Sequence, residues 1–108
     1  MKRFLTALLT IVLTMQLGRV QFEGHDETYY SLPMDSVIAQ ARQKGYNEEV
    51  WIRSDGCWMY SKYIIVAASY KKHPYGSTVR TSLGEGIVLD TGDFAKKEPY
   101  TIDIATTW

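Results

Sequence analysis

The fold is decided by the stretch Tyr63-Ile64-Ile65-Val66-Ala67-Ala68, an almost continuous apolar run in the second half of the chain. A short apolar run without alternating polar residues is typical of a strand that is buried on both of its faces. We therefore interpret the rest of the chain around this strand.

Shorter stretches on both sides of the run show a period of two and predict five further strands. These strands are expected at residues 50–53, 57–60, 78–81, 87–89 with Asp90 at the end, and 100–105. Asp55-Gly56 predicts a hairpin turn between the first two because both residues tolerate positive φ, and further turns are expected at 74–76 and 84–86. Six short strands in so few residues favour closure into a barrel, since closure removes exposed sheet edges. The predicted fold class is mainly β.

One amphipathic helix is expected before these strands. Ser31 is predicted to cap it, Pro33 suits its first turn, and Gly45 is expected to end it in a left-handed conformation. A single apolar stripe is formed by Met34, Val37, Ile38 and Ala41. Residues 21–30 have no clean period, so they are interpreted as a polar lead-in that could end in a short strand.

The N-terminus has the layout of a secretory signal. Met1-Lys2-Arg3 is followed by an uncharged, largely apolar stretch that runs from Phe4 to Gly18, which is shorter than a spanning helix of about 20 residues. This favours a signal peptide, with an uncleaved membrane anchor or a buried helix as alternatives. The predicted organisation is a signal or anchor at residues 1–20, the lead-in and helix at 21–45, and the barrel at 46–108. We expect a secreted or cell-wall-associated protein that meets a membrane only through this segment.

Composition and charge exclude several classes of function. The 108 residues are enough for one domain, and 12 Lys and Arg balance 12 Asp and Glu, so no basic face indicates a nucleic-acid partner. Cys57 is the only cysteine, and the two histidines are far apart in sequence. We therefore expect no disulfide within the chain, no metal site and no cofactor, and we expect a monomer.

Asp90 and Asp103 are the candidate site residues, because each lies in or at the end of an apolar strand. Burial raises the pKa of a carboxyl group, and a second carboxylate nearby raises it further. A carboxyl group with a raised pKa can act as a general acid toward a glycosidic oxygen. The alternative interpretation is structural, since Asp-Thr-Gly at a strand end is common in turns whose Asp side chain accepts backbone hydrogen bonds.

Three ordered motifs carry a resemblance to a known family. They are the segment from Val66 to Ser77 with its Pro74-Tyr75-Gly76, the segment Gly84-Glu85-Gly86-Ile87-Val88-Leu89-Asp90-Thr91-Gly92, and Ile102-Asp103-Ile104. Together they resemble the 3D domain, which is named for three aspartates. That domain occurs in murein lytic transglycosylases of the MltA type and in secreted Gram-positive wall proteins. The resemblance covers about residues 64–105.

The resemblance implies a six-stranded double-psi β-barrel that binds peptidoglycan glycan strands. It implies that Asp103 is the acid and base of a lytic-transglycosylase-like or glycosidase reaction and that Asp90 supports it. It also places Ser69, Thr91 and Gly92 in the substrate-binding region, although Ser69 stands where the family has its first aspartate. A glycan-binding barrel without catalysis and a secreted or phage-borne interaction protein are the alternatives.

Overall fold

The apolar run forms the central strand of a mixed β-sheet. The computed structural model describes residues 19–108, and these residues are mainly β, as predicted from the sequence. The strands are β1 (Val20–Phe22), β2 (His25–Tyr30), β3 (Val50–Ile52), β4 (Trp58–Tyr60), β5 (Tyr63–Ala67), β6 (Thr78–Thr81), β7 (Gly84–Asp90) and β8 (Ile102–Ala105). The helices are α1 (Asp35–Gln43) and the single turn α2 (Phe94–Lys97).

Strand β5 has hydrogen-bonded neighbours along both of its edges. It runs parallel to β7 along one edge, whereas the other edge is shared by two antiparallel partners. Its first half pairs with β4, where Ile64 lies opposite Met59, and its last two residues pair with β8. Strand β8 is in turn parallel to β2. The sheet is thus assembled around β5.

Two hydrophobic clusters cover the two faces of β5, which confirms that this strand is buried on both sides. The helix-side core contains Met34, Val37, Ala41, Tyr60, Ile65, Ile87, Leu89 and Ala105. The inner core contains Cys57, Met59, Ile64, Val66, Ala68, Val88, Ile102 and Ile104. Because successive residues of a strand point to opposite faces, Ile64 and Ile65 enter different cores.

Helix α1 closes the helix-side core with the apolar stripe that the sequence predicts, since Met34, Val37 and Ala41 are buried. Gly45 ends the helix as expected, with φ of 92°. Its N–H group donates to a carbonyl of the last turn, as does that of Tyr46, which is the pattern of a Schellman motif. The predicted cap at Ser31 is wrong, because the helix begins only at Asp35 and its N-terminus has no side-chain cap.

Two segments differ from their predicted roles. Residues 21–30, interpreted as a lead-in, lie largely in the β1–β2 hairpin, and β2 pairs with β8 over four residues. The sheet therefore includes residues that precede the predicted barrel. Residues 84–86, predicted as a turn, lie within β7, because the chain reverses earlier, at Ser82 and Leu83. Residues 19–108 accordingly contain eight strands where six were expected.

The hydrogen-bonded path of the sheet is open, because β1, β3 and β6 each pair with one strand. Side chains nevertheless join β2 to the β6–β7 turn. The fully buried carboxylate of Glu27 accepts hydrogen bonds from the backbone N–H of Ser82 at 2.8 Å and from its hydroxyl at 2.6 Å. His25 Nε2 lies 3.3 Å from the same carboxylate. Glu27 therefore connects two parts of the sheet that no backbone ladder joins.

Replacing this carboxylate with an apolar side chain of similar size tests its role. We expect Glu27→Leu to lower the free energy of unfolding by about 1–3 kcal/mol, because the partly buried N–H and hydroxyl of Ser82 lose their acceptor. The measurement is urea denaturation followed by circular dichroism. Glu49→Leu, at an exposed position, should change stability by no more than about 0.5 kcal/mol. Equal stability of the two variants would contradict this role for Glu27.

Candidate functional site

Asp90 and Asp103 lie on the two strands that flank the end of β5. Ala67 pairs with Asp90 on β7 and with Asp103 on β8. Paired residues of neighbouring strands project from the same face of a sheet, so the carboxylates share a face with Ala67, which lies on the strand between them. They open into one cavity of about 210 Å³. We call it the acidic pocket, and it is lined by Tyr30, Leu32, Ala67, Asp90, Thr91, Gly92, Phe94 and Asp103.

An irregularity in β7 determines the face to which Asp90 belongs. Val66 pairs with Val88, but the next residue of β5, Ala67, pairs with Asp90, so Leu89 is an extra residue on β7. Regular alternation would have placed Asp90 on the face of Val88, inside the inner core. The bulge resets the alternation. It therefore brings Asp90 to the face that also carries Asp103.

Strand β2 supplies one side-chain hydrogen-bond donor to each of the two carboxylates. The hydroxyl of Tyr30 donates to Asp90 Oδ2 at 3.0 Å, and the backbone N–H of Thr91 donates to Asp90 Oδ1 at 2.9 Å. The hydroxyl of Thr28 donates to Asp103 Oδ1 at 2.9 Å. Within residues 19–108, Asp90 thus accepts two hydrogen bonds and Asp103 accepts one. Asp103 is the carboxyl group with more capacity left for a ligand.

The surroundings favour the protonated form of Asp103. Burial raises its pKa, the charge of Asp90 raises it further, and the hydrogen bond from Thr28 opposes both effects. Burial also raises the pKa of Tyr30, and the neighbouring Asp90 adds to the shift. Tyr30 therefore keeps the proton that it donates to Asp90. A carboxyl group that retains its proton to higher pH than usual has the property that a general acid needs.

A second and larger cavity adjoins the acidic pocket. It has a volume of about 830 Å³, and we call it the lysine groove. One wall follows β5 and contains Ser69, Tyr70, Lys71 and Lys72, and the other lies in the loop around α2 and contains Thr91, Gly92, Asp93, Ala95, Lys96 and Pro99. Its volume falls within the range of about 300–1,000 Å³ that is usual for small-molecule sites.

All five residues predicted for the site come together in this region. Asp90 and Asp103 line the acidic pocket, and Ser69 lines the lysine groove, where it is buried. Thr91 and Gly92 line both cavities, so the two cavities meet at the loop that follows β7.

Sequence reasoning missed the residues that orient the two carboxylates. Thr28 and Tyr30 lie in the segment interpreted as a lead-in, and their partners are far away in sequence. The only local signal was Thr28-Tyr29-Tyr30 itself, a run of residue types that are enriched in strands. It indicated a strand but not its parallel partner.

No metal-binding arrangement is formed by residues 19–108, which contain no group of three or more His, Cys, Asp or Glu placed to hold an ion. Over the same residues, neither helix is long and apolar enough to cross a membrane. The predicted signal or anchor segment lies, apart from its last two residues, outside the described part of the chain.

The chain matches no protein-family model, no curated protein and no solved structure. The resemblance to the 3D domain therefore remains a prediction made from its three motifs.

The coupling between the two carboxylates can be measured directly. We expect the pKa of Asp103 to lie above the usual value of about 3.9 and to fall in Asp90→Asn, because the neighbouring charge is removed. Carbon-detected NMR titration of the side-chain carboxyl of Asp103 gives both values. A pKa that does not respond to Asp90→Asn would mean that the two groups are not coupled.

The raised pKa of Asp103 also links stability to pH. Between the unfolded pKa and the higher folded pKa, the folded state binds more protons, so this group makes the protein less stable as pH rises. Asp103→Asn should remove that loss, because asparagine carries no charge and its oxygen can still accept from Thr28. From pH 3 to neutral pH, the Asp103→Asn variant should therefore become progressively more stable relative to wild type. Asp93→Asn, at an exposed position, should not show this gain. A stability difference that does not change with pH would contradict the raised pKa of Asp103.

Proposed function

We propose that the protein cleaves peptidoglycan glycan strands as lytic transglycosylases do, with Asp103 as the acid and then the base. The observation that carries this proposal is the position of Asp103. It is a partly buried carboxyl group with a raised pKa and one protein hydrogen bond, in a pocket that adjoins a groove large enough for sugar rings.

The reaction uses one carboxyl group twice. Protonated Asp103 gives its proton to the glycosidic oxygen as the bond from that oxygen to the muramoyl C1 breaks. The resulting carboxylate takes a proton from the C6 hydroxyl of the same muramoyl residue while that oxygen bonds to C1. The products are a strand with a free 4-hydroxyl and a 1,6-anhydromuramoyl end. Asp103 regains its proton and no water is consumed.

Asp90 supports this cycle without transferring a proton. It accepts hydrogen bonds from Tyr30 and Thr91, which hold it in place beside the reacting group. Its negative charge favours the protonated form of Asp103 before bond cleavage. The same charge stabilises positive charge that develops on the sugar ring in an oxocarbenium-like transition state.

The proposal includes a double-psi barrel as the fold. Two parallel strand pairs, β2 with β8 and β5 with β7, are joined through the antiparallel contact of β5 with β8. The inner core receives side chains from six strands: β2, β4, β5, β6, β7 and β8. The contact between Glu27 and Ser82 brings β2 close to the β6–β7 turn. These features support a curved sheet whose ends approach each other.

The proposal also places the protein outside the cytoplasm, where peptidoglycan lies. The support is the sequence Met1-Lys2-Arg3 followed by an uncharged apolar stretch, the layout of an export signal.

Binding without catalysis is the second candidate, and Ser69 favours it. Ser69 stands where the 3D pattern has an aspartate and lines the lysine groove as a neutral side chain. The groove would then hold a glycan strand while two carboxylates, instead of three, remain at its end.

Purified sacculi distinguish the two candidates. The full chain is incubated with sacculi, and soluble products are analysed by mass spectrometry for 1,6-anhydromuramoyl saccharides, with or without attached peptide. We expect wild type to release them and Asp103→Asn to reduce the rate at least about 100-fold, because general acid–base catalysis typically contributes that much or more. Asp35→Asn, at an exposed position outside both cavities, serves as the control.

Each other outcome has a defined meaning. Wild-type protein that sediments with sacculi but releases no product would replace the enzyme with the binding function. Activity that survives Asp103→Asn would show that Asp103 is not the acid. Failure to sediment at all would leave an interaction protein as the interpretation.

A further inference from the structure

The lysine groove carries an excess of positive charge. Lys71, Lys72 and Lys96 line it, against one carboxylate, that of Asp93. Lys96 Nζ lies 4.0 Å from Asp93 Oδ1 at an exposed position, whereas Lys71 and Lys72 form no ion pair within residues 19–108.

Aromatic rings accompany these cations. Tyr70 lines the groove, and its ring contacts the edge of Tyr75 with centroids 5.8 Å apart. Lys72 Nζ lies 5.2 Å from the centre of the exposed ring of Tyr100. Such cation–π contacts hold a lysine side chain over a ring. Aromatic faces next to free ammonium groups suit a ligand that has both an apolar ring face and an anionic substituent.

The two adjoining cavities have opposite charge. The acidic pocket contains two carboxylates, the lysine groove contains three ammonium groups, and Thr91 and Gly92 line both. A ligand carboxylate is repelled by the first cavity and attracted by the second. The arrangement can therefore orient a sugar that carries a carboxylate at one end and a glycosidic oxygen at the other.

We propose that the lysine groove binds the carboxylate of an acidic amino sugar, namely the lactyl group of N-acetylmuramic acid in a strand free of peptide. This selects an acidic glycan over a neutral polymer of N-acetylglucosamine and fixes the direction in which the strand lies. The choice of glycan rests on the proposed function, whereas the requirement for a carboxylate rests on the groove itself.

The test compares two ligands that differ only in charge. One is a tetrasaccharide of alternating N-acetylglucosamine and N-acetylmuramic acid, and the other is the same tetrasaccharide with its lactyl carboxyl groups reduced to alcohols. Binding is measured by calorimetry with the full chain carrying Asp103→Asn, so that the ligand stays intact. An exposed ion pair contributes up to about a fivefold change in affinity, so we expect the reduced ligand to bind roughly two- to fivefold more weakly.

Two triple variants identify the groups responsible. Lys71→Gln, Lys72→Gln and Lys96→Gln together should abolish the preference for the acidic ligand. Lys44→Gln, Lys62→Gln and Lys97→Gln together remove the same charge outside the groove and should retain it. Raising the salt concentration should lower the affinity for the acidic ligand but not for the reduced ligand, because exposed charges are screened.

Equal affinity for the two ligands, failure of both to bind, or a preference that survives the first triple variant would overturn this inference. Release of 1,6-anhydromuramoyl saccharides from sacculi, with or without attached peptide, is a separate readout. Cleavage with equal affinities would retain the proposed function and reject the carboxylate site. A lysine-dependent preference without cleavage would retain the carboxylate site and reject the proposed function.

Discussion

The structure depends on the two-sided burial of β5. A strand that is apolar on both faces is stable only when both faces are covered and both edges are paired, since exposed apolar surface and unpaired backbone groups each destabilise the folded state. Helix α1 covers one face and the inner core covers the other. The strands that pair with the end of β5 carry Asp90 and Asp103. The requirement to bury one strand thus also assembles the site.

The two carboxylates of the site lower the stability of the folded protein. Asp103 loses hydration on a partly buried face and lies beside the charge of Asp90, and both effects raise its pKa. Tyr30 and Thr28 offset part of this cost with hydrogen bonds, while the methyl side chain of Ala67 leaves room between the acids. A loss of stability of this kind is expected at functional sites, because activity and stability make different demands on the same residues.

The sequence predicted the features that depend on local pattern. The apolar run gave β5, the stripe of α1 was correct, and Gly45 ended the helix as expected. It allowed only a short strand at the end of residues 21–30 and did not predict the length or the partner of β2, whose buried face carries Glu27 where a hydrophobic residue would be expected. Nor did it reveal the bulge at Leu89, which arises from the pairing of β7 with β5. Contacts distant in sequence determine both features.

The neutral side chain of Ser69 has a physical consequence in this structure. Ser69 is buried and lines the lysine groove beside Lys71 and Lys72. An aspartate there would place a poorly solvated negative charge next to these ammonium groups and would neutralise part of their attraction for a ligand anion. Serine leaves the groove positive and the acidic pocket negative. A serine at this position therefore maintains the difference in charge between the two cavities.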